Sequence, residues 1–149
     1  GRYHFMLEKF QKIYDVHDKA GPKDWKALSE WLEKNKFQNV NLPENYVLLM
    51  EESNGGIYVS GEREYQFLSL KEIPEYYEAY MFSKFMPFAF PFAMDGCGSF
   101  YLFNLRQTDK NVYGVSAGNL GWGQDEYFQI ANNFEELISQ KHSIEPQFN

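Results

Sequence analysis

Nucleophiles, metal ligands and paired acids are the residues whose types and spacing could do chemistry. The chain holds one cysteine, Cys97, in the glycine-rich run Asp95-Gly96-Cys97-Gly98-Ser99. A catalytic cysteine needs a base to form thiolate and a third group to orient that base. No partner motif accompanies Cys97, so the plainer reading is a tight turn whose cysteine fills a small buried slot. Ser99 lacks the Gly-x-Ser-x-Gly elbow of a serine hydrolase. The histidines, His4, His17 and His142, lie far apart. None has the His-x-x-x-His or Cys-x-x-Cys spacing that puts two ligands on one zinc, so no metal site is expected. His17 reads as a packing residue on an apolar helix face.

Phosphate cradles fail in the same way. Gly118-Asn119-Leu120-Gly121-Trp122-Gly123 is rich in glycine but lacks the Lys-Ser/Thr ending that would hold a nucleotide. It reads as a loop between strands. Trp122 is then either an exposed contact residue, of the type that dominates protein interfaces, or an inward filler of the sheet edge. Acids are plentiful, in pairs such as Glu62/Glu64, Asp125-Glu126 and Glu135-Glu136. The last pair is explained by the positive end of a helix. Glu62, Glu64, Trp122, Asp125 and Glu126 remain as candidate partner-binding residues. No catalytic residue and no cofactor is expected.

Composition narrows the classes further. With 14 basic and 21 acidic residues the net charge is −7. There is no Lys/Arg cluster to displace counterions from phosphate, so nucleic acid and anionic membranes are not expected partners. The acidity would attract a basic protein partner by speeding encounter, or it serves plain solubility. No run reaches the ~18 apolar residues of a membrane span. One cysteine in 149 residues fits a reducing, cytoplasmic compartment. The hydrophobic fraction, 44%, argues against disorder. A chain of this length buries roughly 70% of its unfolded surface, enough for one core. The aromatic fraction of 19% exceeds what that core needs, which leaves some rings for the surface.

The elements that must position these residues follow from periodicity. Met6, Phe10, Ile13, Tyr14 and His17 form one apolar stripe, which predicts a helix over 3–18. Trp25, Leu28 and Leu32 predict a second over 23–35. Asn41 is the expected cap of a third, with Pro43 in its first turn, Tyr46, Leu49 and Met50 buried, and Asn54-Gly55-Gly56 as its stop. Strands are expected at 57–59 and 65–68 around a Gly61 turn. Pro74 argues against a helix starting at Leu70, so a turn at 69–73 and a helix from Pro74 to about Phe82 are expected. Further strands are predicted at 88–90, 100–103, 112–115 and 127–130. Phe100-Tyr101-Leu102-Phe103 is apolar on both faces and reads as a central strand. Asn133, with Glu136 three residues on, caps a last helix that turns Phe134, Leu137 and Ile138 inward. No linker or repeat divides the chain, which reads as a single domain over 1–149. The fold class is α+β, a mostly antiparallel sheet with helices packed on it.

Three segments together resemble the SUKH superfamily, which includes the fungal Smi/Knr cell-wall regulators and many bacterial immunity proteins. Leu42-Pro43-Glu44-Asn45-Tyr46, running to Asn54-Gly55-Gly56, is similar to the family's Leu-Pro-x-Asp-Tyr helix and Asn-Gly-Gly stop. Pro91-Phe92-Ala93-Met94-Asp95-Gly96-Cys97-Gly98-Ser99-Phe100-Tyr101 is similar to its Asp-Gly turn and aromatic strand. Ile130-Ala131-Asn132-Asn133-Phe134-Glu135-Glu136-Leu137-Ile138 is similar to its closing helix. The match covers roughly residues 25–140 and leaves the 3–18 segment partly outside. Asn45 departs from the usual acid, and Ser99 from a frequent Asp. The resemblance implies helices on one sheet, no catalytic residues, and a protein-binding role: neutralisation of a toxin, often a nuclease. The alternatives it leaves are a regulatory or scaffold module of the Smi/Knr type and, from the residues, a small enzyme using Cys97.

Overall fold

The computed structural model describes residues 5–140. Seven strands form one sheet whose spatial order is the chain order. They are β1 (Lys12–Val16), β2 (Gly56–Ser60), β3 (Arg63–Phe67), β4 (Ala89–Met94), β5 (Ser99–Asn104), β6 (Val112–Ser116) and β7 (Tyr127–Ala131). Every neighbouring pair is antiparallel. The helices are α1 (Pro22–Lys34), α2 (Glu44–Glu52), α3 (Glu72–Ala79), α4 (Phe82–Phe85) and α5 (Phe134–Ser139). This is the expected α+β architecture.

Successive strand residues point to opposite faces, and the ring contacts show what covers each. On the first face Tyr46 of α2 and Phe134 of α5 pack on Phe92 and Phe103, with Tyr46–Phe103 centroids 5.5 Å apart and Phe92–Phe103 4.4 Å. On the second, Tyr80 and Phe82 meet Phe100 edge-on at 5.0 and 5.3 Å. β5 is therefore buried at all six positions, as a strand covered on both sides must be. The edge half differs. In β2 and β3 buried residues alternate with half-buried ones: Tyr58, Tyr65 and Phe67 go inward, while Ile57, Val59, Glu64 and Gln66 face out.

Three local expectations are corrected. The segment predicted as a helix over 3–18 is, within the described residues, a 3-10 turn at Leu7–Lys9 followed by β1. Met6, Leu7 and Phe10 are buried, but Ile13, Tyr14 and His17 are exposed, so the stripe does not mark one buried face. The Glu52 carboxylate accepts the N–H groups of Met6 and Leu7 and pins the turn. The Ile-Tyr-x-Val run then suits pairing with β2. Asn41 does not cap α2; Pro43 holds that position, and the Asn41 carbonyl accepts a bond from Lys110 Nζ instead. α3 starts at Glu72, ahead of Pro74, and ends at Ala79. Pro74 falls in the first turn, where an N–H has no intrahelical acceptor to lose. The Ser69–Glu72 pair closes reciprocally: Ser69 Oγ accepts from the Glu72 N–H, and the Glu72 carboxylate accepts from the Ser69 N–H at 2.9 Å. Asn133 caps α5 as expected, its Oδ1 accepting the Glu136 N–H at 2.7 Å.

Candidate protein-binding face

The β1–β3 half of the sheet is closed on one face and open on the other. On the closed face Phe10 packs on Tyr58 at 5.0 Å, and Tyr65 Oη donates to the Leu137 carbonyl at 2.9 Å. Burial pushes both tyrosines up to about 12, with the Arg63 guanidinium pulling Tyr65 back down. On the open face a shallow hollow of about 140 Å³ lies between α3 and β1, with Asp15, His17, Ile57, Gln66, Glu72 and Tyr76 in its walls. His17 Nε2 sits 2.8 Å from Asp15 Oδ2, and both are exposed. His17 is therefore not the packing residue the helical stripe implied. It lies exposed just after the edge strand.

Glu64 borders the same face. Gln66 Nε2 donates to Glu64 Oε2 at 2.7 Å, and the carboxylate lies so close to Gly96 that an added Cβ would sit 2.6 Å from it. Glu62 is exposed at the β2–β3 hairpin turn. Beside these acids runs β1, the end strand of the sheet and exposed at all five residues. Ile13, Tyr14 and Val16 are 42%, 64% and 47% exposed. One side of its backbone has no described strand against it, a ready template for pairing, and the irregularity between Ile13 and Asp15 partly blunts it.

The five residues singled out from sequence are not brought together. Glu64 borders the open half-face, and Glu62 lies two residues before it on the β2–β3 turn. Trp122, Asp125 and Glu126 lie on the β6–β7 loop, beyond three intervening strands. Trp122 is half-buried, and its Nε1 donates to the Pro87 carbonyl at 2.8 Å. Its ring meets Tyr127 edge-on at 5.1 Å and carries the Arg106 guanidinium at 3.8 Å. That is the inward alternative, not an exposed tip. Glu126 braces the loop: its Oε1 accepts the Gly123 N–H at 2.9 Å, and its carboxylate fills the space a Cβ on Gly121 would need. Asp125 is exposed in the left-handed region at φ 69°. Sequence reasoning missed Asp15 and Glu72. The usable signal was the outward alternation of Glu64 and Gln66, which marks the face but not what converges on it.

Cys97 is exposed on the β4–β5 turn, its N–H donating to Asp95 Oδ1 at 2.8 Å; it does not fill the buried slot expected of it. His4 and His142 lie outside the described residues. Among the described residues no group of three or more His, Cys, Asp or Glu is placed to hold a metal ion. No described helix is long and apolar enough to cross a membrane.

The fold defines the class: an all-antiparallel seven-stranded sheet with helices on both faces and an acidic open edge. The SMI1 / KNR4 family (SUKH-1) model matches residues 20–140, and the chain belongs to that family. The match begins after β1, so the edge strand lies outside it. No curated protein matches the chain.

Proposed function

We propose that this chain is a non-catalytic binding module of the immunity type, which neutralises a basic toxin domain, such as a nuclease, by docking the open β1–β3 half-face over it. One observation carries the reading: Asp15 and Glu72 line a hollow on an uncovered stretch of sheet, Glu64 is bonded to Gln66 in its wall, and an exposed edge strand runs beside it, in a chain of net charge −7. Such a face attracts a cationic groove and raises the encounter rate. The edge strand supplies backbone groups that fix the register of docking. The work would be done in the cytoplasm, before the toxin reaches its substrate.

Co-expression with the product of the neighbouring gene tests this, a non-toxic neighbour counting against the reading. Glu64→Lys with Glu72→Lys should abolish protection and slow association while the far-ultraviolet circular dichroism stays unchanged. Full protection by the folded double variant would remove this face from the argument. A regulatory or scaffold role is the second reading, favoured by the family's own name. Affinity purification from native cells separates the two, since a regulator brings down housekeeping proteins in place of a toxin.

A further inference from the structure

The opposite end of the sheet, where β4 begins and β5 ends, has the reverse chemistry. A cavity of about 430 Å³ opens there, within the size range of small-ligand sites. Phe88, Leu105, Pro87 and the Trp122 ring form its apolar walls, and Lys36 and Arg106 its charged ones. No acid lines it, although acids outnumber bases by half in the chain.

Arg106 is set in place beforehand. Asn104, only 1% exposed, presents Oδ1 to both the Arg106 backbone N–H at 3.0 Å and Nε at 3.2 Å. The guanidinium then lies flat on Trp122, which is itself tied to the Pro87 carbonyl. Its two outer nitrogens are bonded to no described residue, and neither Arg106 nor Lys36 is paired with a described carboxylate. A planar guanidinium held at Nε with its outer fork unused is shaped for a two-point bond to an oxyanion.

Lys36 occupies an unusual backbone position for its type. It ends α1 in a Schellman turn: its N–H donates to the Glu33 carbonyl and the Phe37 N–H to the Leu32 carbonyl. Its φ is 68°, the left-handed conformation in which glycine is the usual residue. A lysine there complements the negative helix end, but so would one in the preceding turn, and Lys34 already stands in it. Phe88, on the facing wall, is also left-handed at φ 68°. A bulky residue in that region is a genuine outlier and is kept only where the surroundings hold it. Both walls of the cavity therefore use side chains where glycine would be easier.

We propose that this cavity receives one carboxylate carried on an apolar body, with the Arg106 fork and Lys36 holding the charge and Phe88, Leu105 and Trp122 the body. It lies away from the acidic half-face and does not depend on the immunity reading. A carboxylate on an apolar body suits it better than a free phosphate because its two coplanar oxygens match the single unused guanidinium fork while Pro87, Phe88, Leu105 and Trp122 cover the body, with Gln38 and Asn39 completing the wall. The acid can be free or the side chain of a peptide.

The Trp122 indole N–H resonance, assigned with Trp122→Phe, reads occupancy. Phenylacetate and the peptide acetyl-Gly-Glu-Phe-amide serve as the two probes, with phenylacetamide, the Gln peptide and inorganic phosphate as comparisons. A saturable shift with either acid, and at least roughly tenfold weaker binding of its amide counterpart, is the expected result. The tighter of the two acids identifies the source. Arg106→Gln should weaken binding by a similar factor, and Arg106→Lys should not restore it, since an ammonium lacks the fork. Lys36→Gly should weaken binding severalfold without lowering the melting temperature, because it relieves the left-handed backbone. That combination separates loss of a ligand group from loss of fold. The proposal fails if neither acid gives a saturable shift, if the amides bind equally, if folded Arg106→Gln binds as before, or if phosphate binds more tightly than both acids.

Discussion

Gly56 faces β1 with no room for a side chain, and replacing it tests how the edge strand is held. It is buried, has φ 151°, and pairs with Val16 on one side and Phe67 on the other. An added methyl would lie 2.3 Å from the Asp15 carbonyl oxygen and 2.7 Å from Tyr58 Oη. Neither neighbour yields easily. The first is β1 backbone, and Tyr58 Oη is bonded to the Gly55 carbonyl at 3.0 Å. The backbone conformation alone costs a non-glycine residue about 1–3 kcal/mol, and the forced overlap a further ~1–3 kcal/mol. Gly56→Ala should therefore lose about 2–6 kcal/mol, a large part of the ~5–15 kcal/mol that holds an ordinary domain. Gly98→Ala is the control. It has φ 94° but nothing within 4 Å of an added Cβ, so only the conformational part, about 1–2 kcal/mol, applies. Gly118→Ala, with open space and no positive φ, should be near neutral. Urea midpoints at constant slope measure the series, and amide exchange over Lys12–Val16 should accelerate in Gly56→Ala alone. Equal losses for Gly56→Ala and Gly98→Ala, with unchanged exchange in β1, would refute the steric argument and the placement of Asp15 and His17 that depends on it.

Three further outcomes are expected. Tyr46→Phe should stabilise the protein by about 1 kcal/mol, raising the melting temperature by roughly 2–4 °C, because its buried hydroxyl has no partner among the described residues; a lower melting temperature would show that the hydroxyl is bonded. Tyr58 and Tyr65 are pushed up to about 12 from an ordinary 10, so the folded state keeps protons that the unfolded state loses. Their contribution is complete below pH 10 and disappears between about 10 and 12, at most about 2–3 kcal/mol each, so urea midpoints should fall over that window and fall less in Tyr58→Phe. Glu126→Ala should cost about 1 kcal/mol and change Trp122 emission by freeing the loop, yet leave toxin association through β1–β3 unaltered; a large drop in association rate would place Glu126 in the interface after all.

Much of the fold could be read from the chain because its signals are local. The alternation in β2 and β3, the two-sided apolar run of β5 and the Asn133 cap each lie within a few residues. The first segment could not be read so. Met6, Phe10, Ile13, Tyr14 and His17 satisfy a helical period, and what overrides it is pairing with a strand more than 40 residues away, Lys12 opposite Val59. α3 misled for a narrower reason: Pro74 was weighed as an interior residue, whereas the Ser69–Glu72 box places it in the first turn. The open face was half legible. Glu62 and Glu64 share one hairpin, so their companionship is visible in sequence. Asp15 and Glu72 reach them only because β1 and α3 border the same sheet face, which no local pattern encodes. Trp122 was recognised as consequential, but its role follows from Arg106 and Asn104, which arrive from β5 and the residues just after it.

The aromatic surplus changes meaning once both sheet faces are seen. A one-sided sheet of this size would have rings to spare, but Phe92, Phe103 and Phe134 fill one face while Phe82 and Phe100 fill the other. Among the described residues few large rings are exposed, chiefly Phe5, Tyr14, Tyr80 and Phe85, while half-buried Tyr76 walls the open-face hollow and stacks on Tyr80 at 6.0 Å. On the proposed function, the Tyr76–Tyr80 pair is the aromatic anchor this face offers. The rest of that proposed contact is charge and the β1 backbone. Charge between exposed groups is screened over ~8 Å at physiological salt, so association through this face has to slow as salt rises. The Arg106 cavity is built the other way, with a cation stacked on a ring beside apolar walls, so salt should weaken a ligand there through its one charge while the contact with its apolar body persists. The two ends of one sheet thus offer surfaces of opposite sign that ionic strength can tell apart.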